Sequence, residues 1–167
     1  MPNPPLYAIH DIHAVDDAMR RAYATLVMAA SPHLTHSRLL KHLSHAPGIV
    51  ILTHQQTVVG GCMLKSHHRY GQTAWHKALE TKLGFAPPSL ELGYKVLAAP
   101  ACGTGFSKVL STLALKAARA EAVFATCSVE DLKTYHTLCG LGFVEKGEFT
   151  NPRTNHHLIY LERPANA

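Results

Sequence analysis

The chain has 167 residues, enough for one domain with a full core, and its 47% hydrophobic and 16% charged residues are those of a soluble globular protein, not a disordered one. A formal charge of +5 and a pI near 9.1 suit an anionic ligand or an acidic acceptor, but the basic residues are scattered and no aromatic-basic motif accompanies them, so nucleic acid is not the expected partner. No apolar run reaches the roughly 18–20 residues of a membrane helix, and Met1-Pro-Asn-Pro-Pro lacks the basic-then-apolar plan of a signal peptide, which sets a cytoplasmic, membrane-free expectation.

In chain order, Leu6 to Ile9 read as a short strand. A helix opens near Asp16-Asp17, whose acids suit a helix N-terminus, and carries the stripe Ala18, Met19, Ala22, Tyr23, Leu26, Val27 and Ala30 before Ser31-Pro32 ends it. A second helix, about Thr35 to His45, runs to Pro47-Gly48. Ile49 to Thr53 and Val58 to Lys65 are two strands around the polar turn His54-Gln55-Gln56. Thr73 to Leu83 reads as a helix ended by Gly84, inside a connection long enough to suggest a functional wall or lid, with Tyr70 and Trp75 as its apolar contacts.

Glu91 to Ser107 is the most informative segment: a strand that passes through the glycine-rich turn Cys102-Gly-Thr-Gly-Phe-Ser107 into an amphipathic helix. A helix start offers unpartnered N–H groups and the positive end of the helix dipole, and flanking glycines let a phosphate approach the backbone. The Gly-x-x-x-x-Gly-Lys-Ser/Thr spacing of a P-loop is absent. The dinucleotide pattern is met at Gly103 and Gly105 only, with Lys108 where its third glycine belongs. Ala122 to Cys127 is the next strand, a helix follows over Asp131 to Phe143, and two closing strands span roughly Val144 to Phe149 and Asn155 to Glu162.

Residues 48 to 163 resemble the GNAT superfamily of N-acetyltransferases. Glu91, Gly93, Tyr94, Gly103 and Gly105 fall at that family's Glu-x-Gly-Tyr and Gly-x-Gly spacing, and Gly142-Phe143 closes its second signature. Pro100 comes one place late, and Cys102 replaces the usual Arg or Gln at the head of the loop. The resemblance implies one acyltransferase-like domain over 1–167, of α/β (α+β) class, with a mixed, mostly antiparallel sheet of six or seven strands flanked by helices. It implies transfer of an acetyl or other short acyl group, with acetyl-CoA as cosubstrate held by Val96, Leu97, Cys102, Gly103, Thr104, Gly105, Phe106, Ser107 and Asp131. The acceptor is a small-molecule or peptide amine, and a homodimer is open.

By the same resemblance Glu91 is the base that takes the amine proton, which calls for a carboxyl pKa raised by burial; the alternative is that it pairs with a cation at the strand start. The family's acid, a tyrosine, is Leu138 here, so Tyr135, one turn earlier on the helix, is the first substitute, ahead of His136 and Cys139, though the apolar stripe of Leu132, Tyr135, Leu138 and Cys139 favours core or pocket wall for it. Without an acid or base the same fold would serve as a non-catalytic coenzyme A sensor, and a nucleotide-binding module is the reading outside the family. The four cysteines have no Cys-x-x-Cys spacing, and the thirteen histidines form pairs rather than a three- or four-ligand set, so no disulfide or metal is expected.

Overall fold

The computed structural model describes residues 6–67 and 74–167. Seven strands form a single sheet: β1 (Tyr7–His10), β2 (Gly48–His54), β3 (Thr57–Ser66), β4 (Leu90–Leu97), β5 (Val123–Ser128), β6 (Val144–Thr150) and β7 (His157–Arg163), in the order β1-β2-β3-β4-β5-β7-β6. Every neighbouring pair is antiparallel except β4 and β5. The mixed, mostly antiparallel sheet expected from the sequence is therefore the one observed.

Local chemistry sets the helix limits. Asp16 caps α1 (Asp17–Ala30) by accepting the Met19 N–H at 2.7 Å, and Asp131 caps α5 (Leu132–Cys139) by accepting the Thr134 N–H at 3.0 Å. Between them lie α2 (His36–His45), α3 (Ala74–Leu83) and α4 (Phe106–Leu115). Gly84 takes the left-handed conformation after α3, with its N–H on the Glu80 carbonyl at 2.9 Å. Pro100 sits in a one-turn 3-10 segment, Ala99–Ala101, that interrupts the expected direct run from β4 into the loop.

The sheet divides two cores. On one face α4 and α5 cover Val50, Leu64, Leu92, Leu110, Ala125 and Leu161. On the other, α1 and α2 cover Ile49, Ile51 and Met63, while α3 packs Leu79 toward Phe124, Phe149 and Tyr160. Among the described residues no helix is long and apolar enough to cross a membrane. All four cysteines are free thiols.

Candidate active site

β4 and β5 touch only at Leu90↔Val123 and Glu91↔Phe124 and then part. An extra residue on β4 drives the parting: the step from Gly61 to Met63 on β3 faces the longer step from Val96 to Gly93, so β4 bulges at Tyr94 and Lys95, where Tyr94 takes φ 49°. The bulge is held from the far face. The fully buried Tyr23 of α1 donates its hydroxyl to the Tyr94 carbonyl at 2.5 Å, and Gly61 leaves the room its ring needs.

Three neighbouring cavities lie along the opened wedge. At one mouth a cavity of ≈ 370 Å³ is bordered by Val96, Leu97, Cys102, Gly103, Ser107 and Lys133. It shares Lys95, Asp131 and Thr134 with a central gap of ≈ 260 Å³, which also reaches Ser111, Cys127 and Leu138. The gap in turn shares Tyr94 with a third cavity of ≈ 450 Å³ on the opposite face, against α2, α3 and the β6–β7 turn.

At the first mouth Gly103 (φ 75°) and Gly105 (φ 82°) are both left-handed, and a Cβ on either would meet nothing within 4 Å. The glycines are there for backbone conformation, and they leave the loop bare on its outer side. Gly105 is the N-cap of α4, so the N–H groups of Phe106, Ser107 and Lys108 have no carbonyl a turn earlier in the helix to bond. Thr104 Oγ1 donates to Ala101 O at 2.6 Å and braces the turn, and Tyr7 donates to Pro100 O at 2.5 Å while packing on Phe106. Cys102 is exposed, with its thiol 3.5 Å from Leu97 O. Ala98 N–H donates to Val59 O on β3 at 2.7 Å, so in the extended chain the Leu97 N–H faces the other edge, where β5 has withdrawn.

The third cavity has an ionic floor. Glu91, 5% exposed, binds Lys65 Nζ at 2.7 Å and His67 Nε2 at 2.6 Å. Lys65 also lies 4.2 Å over the Tyr94 ring, and a Cβ on Gly93 would come within 2.9 Å of Lys65 Cε. Burial pushes the Glu91 carboxyl upward, but the Lys65 ammonium and the His67 bond outweigh it and hold the pKa at about 2. The raised pKa expected of a base at this position is not found, because Lys65 and His67 hold the carboxylate in its ionised form. His67 stacks on Phe124 and on His76, whose Nε2 faces the Pro87 and Pro88 carbonyls at 3.1 and 2.9 Å. His42, on α2 beside Tyr94, is held down to about 4 by burial and then by Lys65, His67 and Arg38, and so is uncharged at neutral pH.

Tyr135 faces β6. Its hydroxyl donates to Glu145 Oε2 on β6 at 3.0 Å, it borders none of the three cavities, and that bond, with Cys139, raises its pKa to about 12. The one-turn offset from Leu138 rotates the side chain around the helix toward β6. The groups that do line the central gap include Lys95, whose ammonium pKa is lowered by burial, with Cys62, Asp131 and Cys127 acting in the opposite direction. Trp75 borders the third cavity; Tyr70 lies outside the described residues. Lys65, His67 and Lys95 were not singled out from sequence. Their signal was a cation inside the apolar run of β3, an imidazole two residues on, and a cation in the middle of β4. No group of three His, Cys, Asp or Glu side chains able to hold a metal occurs among the described residues.

No protein-family model and no curated protein matches the sequence. Solved structures do match the fold. A chain of the NatC complex bound to Gag peptide and CoA superposes with a TM-score of 0.73 at 14% identity, over 96% of this chain and 99% of that one. A GNAT superfamily phosphinothricin acetyltransferase from Sinorhizobium meliloti, in complex with AcCoA, gives 0.67 at 13% over 96% and 89%. The ribosomal-protein-alanine N-acetyltransferase of Brucella melitensis gives 0.68 at 13% over 94% and 99%. At these identities the likeness is one of fold, and the fold is that of the GNAT acetyltransferases.

Proposed function

We propose that the protein transfers the acetyl group of acetyl-CoA to an amine by direct attack. The observation that carries this reading is the row of adjoining cavities along the parted strands, with a bare left-handed glycine turn and helix start at one end and a walled pocket at the other. The α4 N-terminus and its loop would hold the pyrophosphate, with Lys133 nearby. The arm would lie along Val96 and Leu97, and the Leu97 N–H would bond the thioester carbonyl and the oxyanion that develops on it.

The amine nitrogen bonds to the carbonyl carbon, the carbon–sulfur bond breaks, and one proton passes from the amine to the thiolate. Burial beside Lys65 lowers the pKa of an entering amine, so the uncharged, nucleophilic form is the one favoured there. Glu91 serves this by fixing Lys65 and His67, and acts as a positioning residue with a weakly basic carboxylate. With Leu138 in the acid's place and Tyr135 turned away, Lys95 is the donor that faces the departing sulfur.

Calorimetric titration with acetyl-CoA, using CoA, NAD and ATP as competitors, tests the cofactor. Micromolar binding of acetyl-CoA without competition from NAD is expected; no binding of either CoA form would leave a phosphate site for another nucleotide. With an amine substrate, Lys95→Met lowers kcat by about 10²-fold, and an unchanged kcat removes Lys95 from the mechanism. A second reading, a coenzyme A sensor without catalysis, is favoured by Leu138 and by the full engagement of Glu91. It predicts tight acetyl-CoA binding with no thiol release for any amine.

A further inference from the structure

The charge of the acceptor-side cavity selects among amines. Two arginines border it, Arg38 from α2 and Arg153 from the β6–β7 turn, with the polar Asn151 and Thr154 beside Arg153. The turn is braced: Arg153 N–H donates to Asn151 Oδ1 at 2.9 Å, and Asn155 N–H and Asn151 N–H close it on the Asn151 and His156 carbonyls at 2.8 Å each. Among the described residues no carboxylate pairs with either arginine. Among the described residues the cavity's one carboxylate is Glu91, and its two oxygens already bond Lys65 and His67.

A site for a polyamine, an aminoglycoside or a lysine-rich peptide needs spare negative charge to replace the water shed by each ammonium group. This cavity has none to spare among the described residues, and its surplus charge is positive. The same surplus reaches the neighbouring ring, for Lys65, His67 and Arg38 all act with burial to keep His42 uncharged. Guanidinium forks match carboxylate and phosphoryl oxygens in geometry as well as charge. The cavity's ≈ 450 Å³ suits a small molecule, and Trp75 adds an apolar contact.

We propose that the acceptor is a small amine that also carries a carboxylate or phosphoryl group, bound by Arg38 and Arg153 so that its nitrogen points toward Tyr94 and the gap between β4 and β5. The proposal rests on the acyl-transfer reading above and supplies its substrate class. Binding the anion away from the reacting end leaves the nitrogen beside Lys65, where the uncharged form is favoured. Carboxylate and phosphoryl share the recognition chemistry, and the assay separates them.

The test is a panel of matched amines with saturating acetyl-CoA: methionine against methionine amide, 2-aminoethyl phosphate against ethanolamine, and spermidine. Thiol release gives kcat/KM, and calorimetry of each amine with the protein gives Kd without turnover. The anionic member of at least one pair is expected to be favoured about 10- to 100-fold, and the pair that shows it identifies the oxyanion. In the Arg38→Gln/Arg153→Gln variant KM for that amine rises by a similar factor while kcat and the acetyl-CoA Kd hold. Spermidine or the neutral partners turned over as well as the anionic ones, or a KM indifferent to the two arginines, overturns the proposal and leaves acyl transfer standing. If no panel member turns over, binding decides: anionic amines that bind no better than their neutral partners overturn it. Failure to bind acetyl-CoA removes the acyl-transfer reading instead, which the separate cofactor titration detects.

Discussion

At the residue scale the decisive group is Glu91, because a buried carboxylate bonded to a buried ammonium and an imidazole changes what the position can do. Its folded pKa of about 2 lies below the ordinary 4.5, so the folded protein binds that proton less tightly than the unfolded chain. The stability it contributes is full above pH 4.5 and is lost as the pH falls toward 2. His42 adds a second window by the same sign: its pKa falls from 6.5 to about 4 on folding, so its contribution is full above 6.5 and is lost toward 4. Urea unfolding at a series of pH values should therefore show stability falling from pH 6.5 downward, with a further loss below 4.5. Glu91→Gln should flatten the lower limb and cost about 3–5 kcal/mol at pH 7, because Lys65 is left as a buried, uncompensated charge. A Glu91→Gln protein as stable as the parent would mean that Lys65 finds water or another partner, and that the triad does not hold the floor of the pocket.

At the scale of elements, the bulge in β4 carries the architecture of the site, and Gly61 is its most sensitive point. A Cβ there would lie 2.7 Å from Tyr23 Cε2 and 2.9 Å from the Val50 carbonyl, so neither neighbour can yield without moving the ring or the strand. Gly61→Ala should cost about 1–3 kcal/mol and, by shifting Tyr23 off the Tyr94 carbonyl, weaken acetyl-CoA binding as well. Unfolding and calorimetry on the same variant check both, and lost stability with unchanged affinity would separate the bulge from the cofactor groove. The helices beside this bulge were legible in the sequence, because their stripes and caps are local: Asp16, Gly105 and Asp131 each mark a start within a few residues of the apolar pattern they precede. The bulge was not legible, since it depends on the register between β3 and β4 and on a tyrosine 71 positions before the carbonyl it holds. The Lys65–Glu91–His67 triad was missed for a similar reason. Lys65 and Glu91 are cross-strand partners, and only the strand pairing brings them opposite one another. Tyr135 shows the limit of periodicity: it gave the one-turn spacing from Leu138 but not the Glu145 carboxylate on β6 that the hydroxyl meets.

For the whole molecule, the sheet is two halves, β1–β4 and β5–β7, joined at their seam by the pairs Leu90↔Val123 and Glu91↔Phe124. Beyond that apex the facing edges of β4 and β5 lack strand partners, and helices α4 and α5 with the loops around them hold the halves in place. A ligand laid along the wedge would touch both halves at once, with Val96 and Leu97 on one side and Asp131, Lys133 and Thr134 on the other. Binding to the folded state alone stabilises it by mass action, about 2.7 kcal/mol at a ligand concentration 100 times Kd. For a domain of this length that is worth roughly 5–10 °C in Tm, from about 2–4 °C per kcal/mol. Acetyl-CoA at that excess should therefore raise Tm by this amount and slow amide hydrogen exchange on both β4 and the start of α5, because each half gains contacts with the same molecule. Protection confined to β4 would place the ligand on one half only. The wedge would then be a consequence of the bulge, with the cofactor seated on the α4 turn outside it.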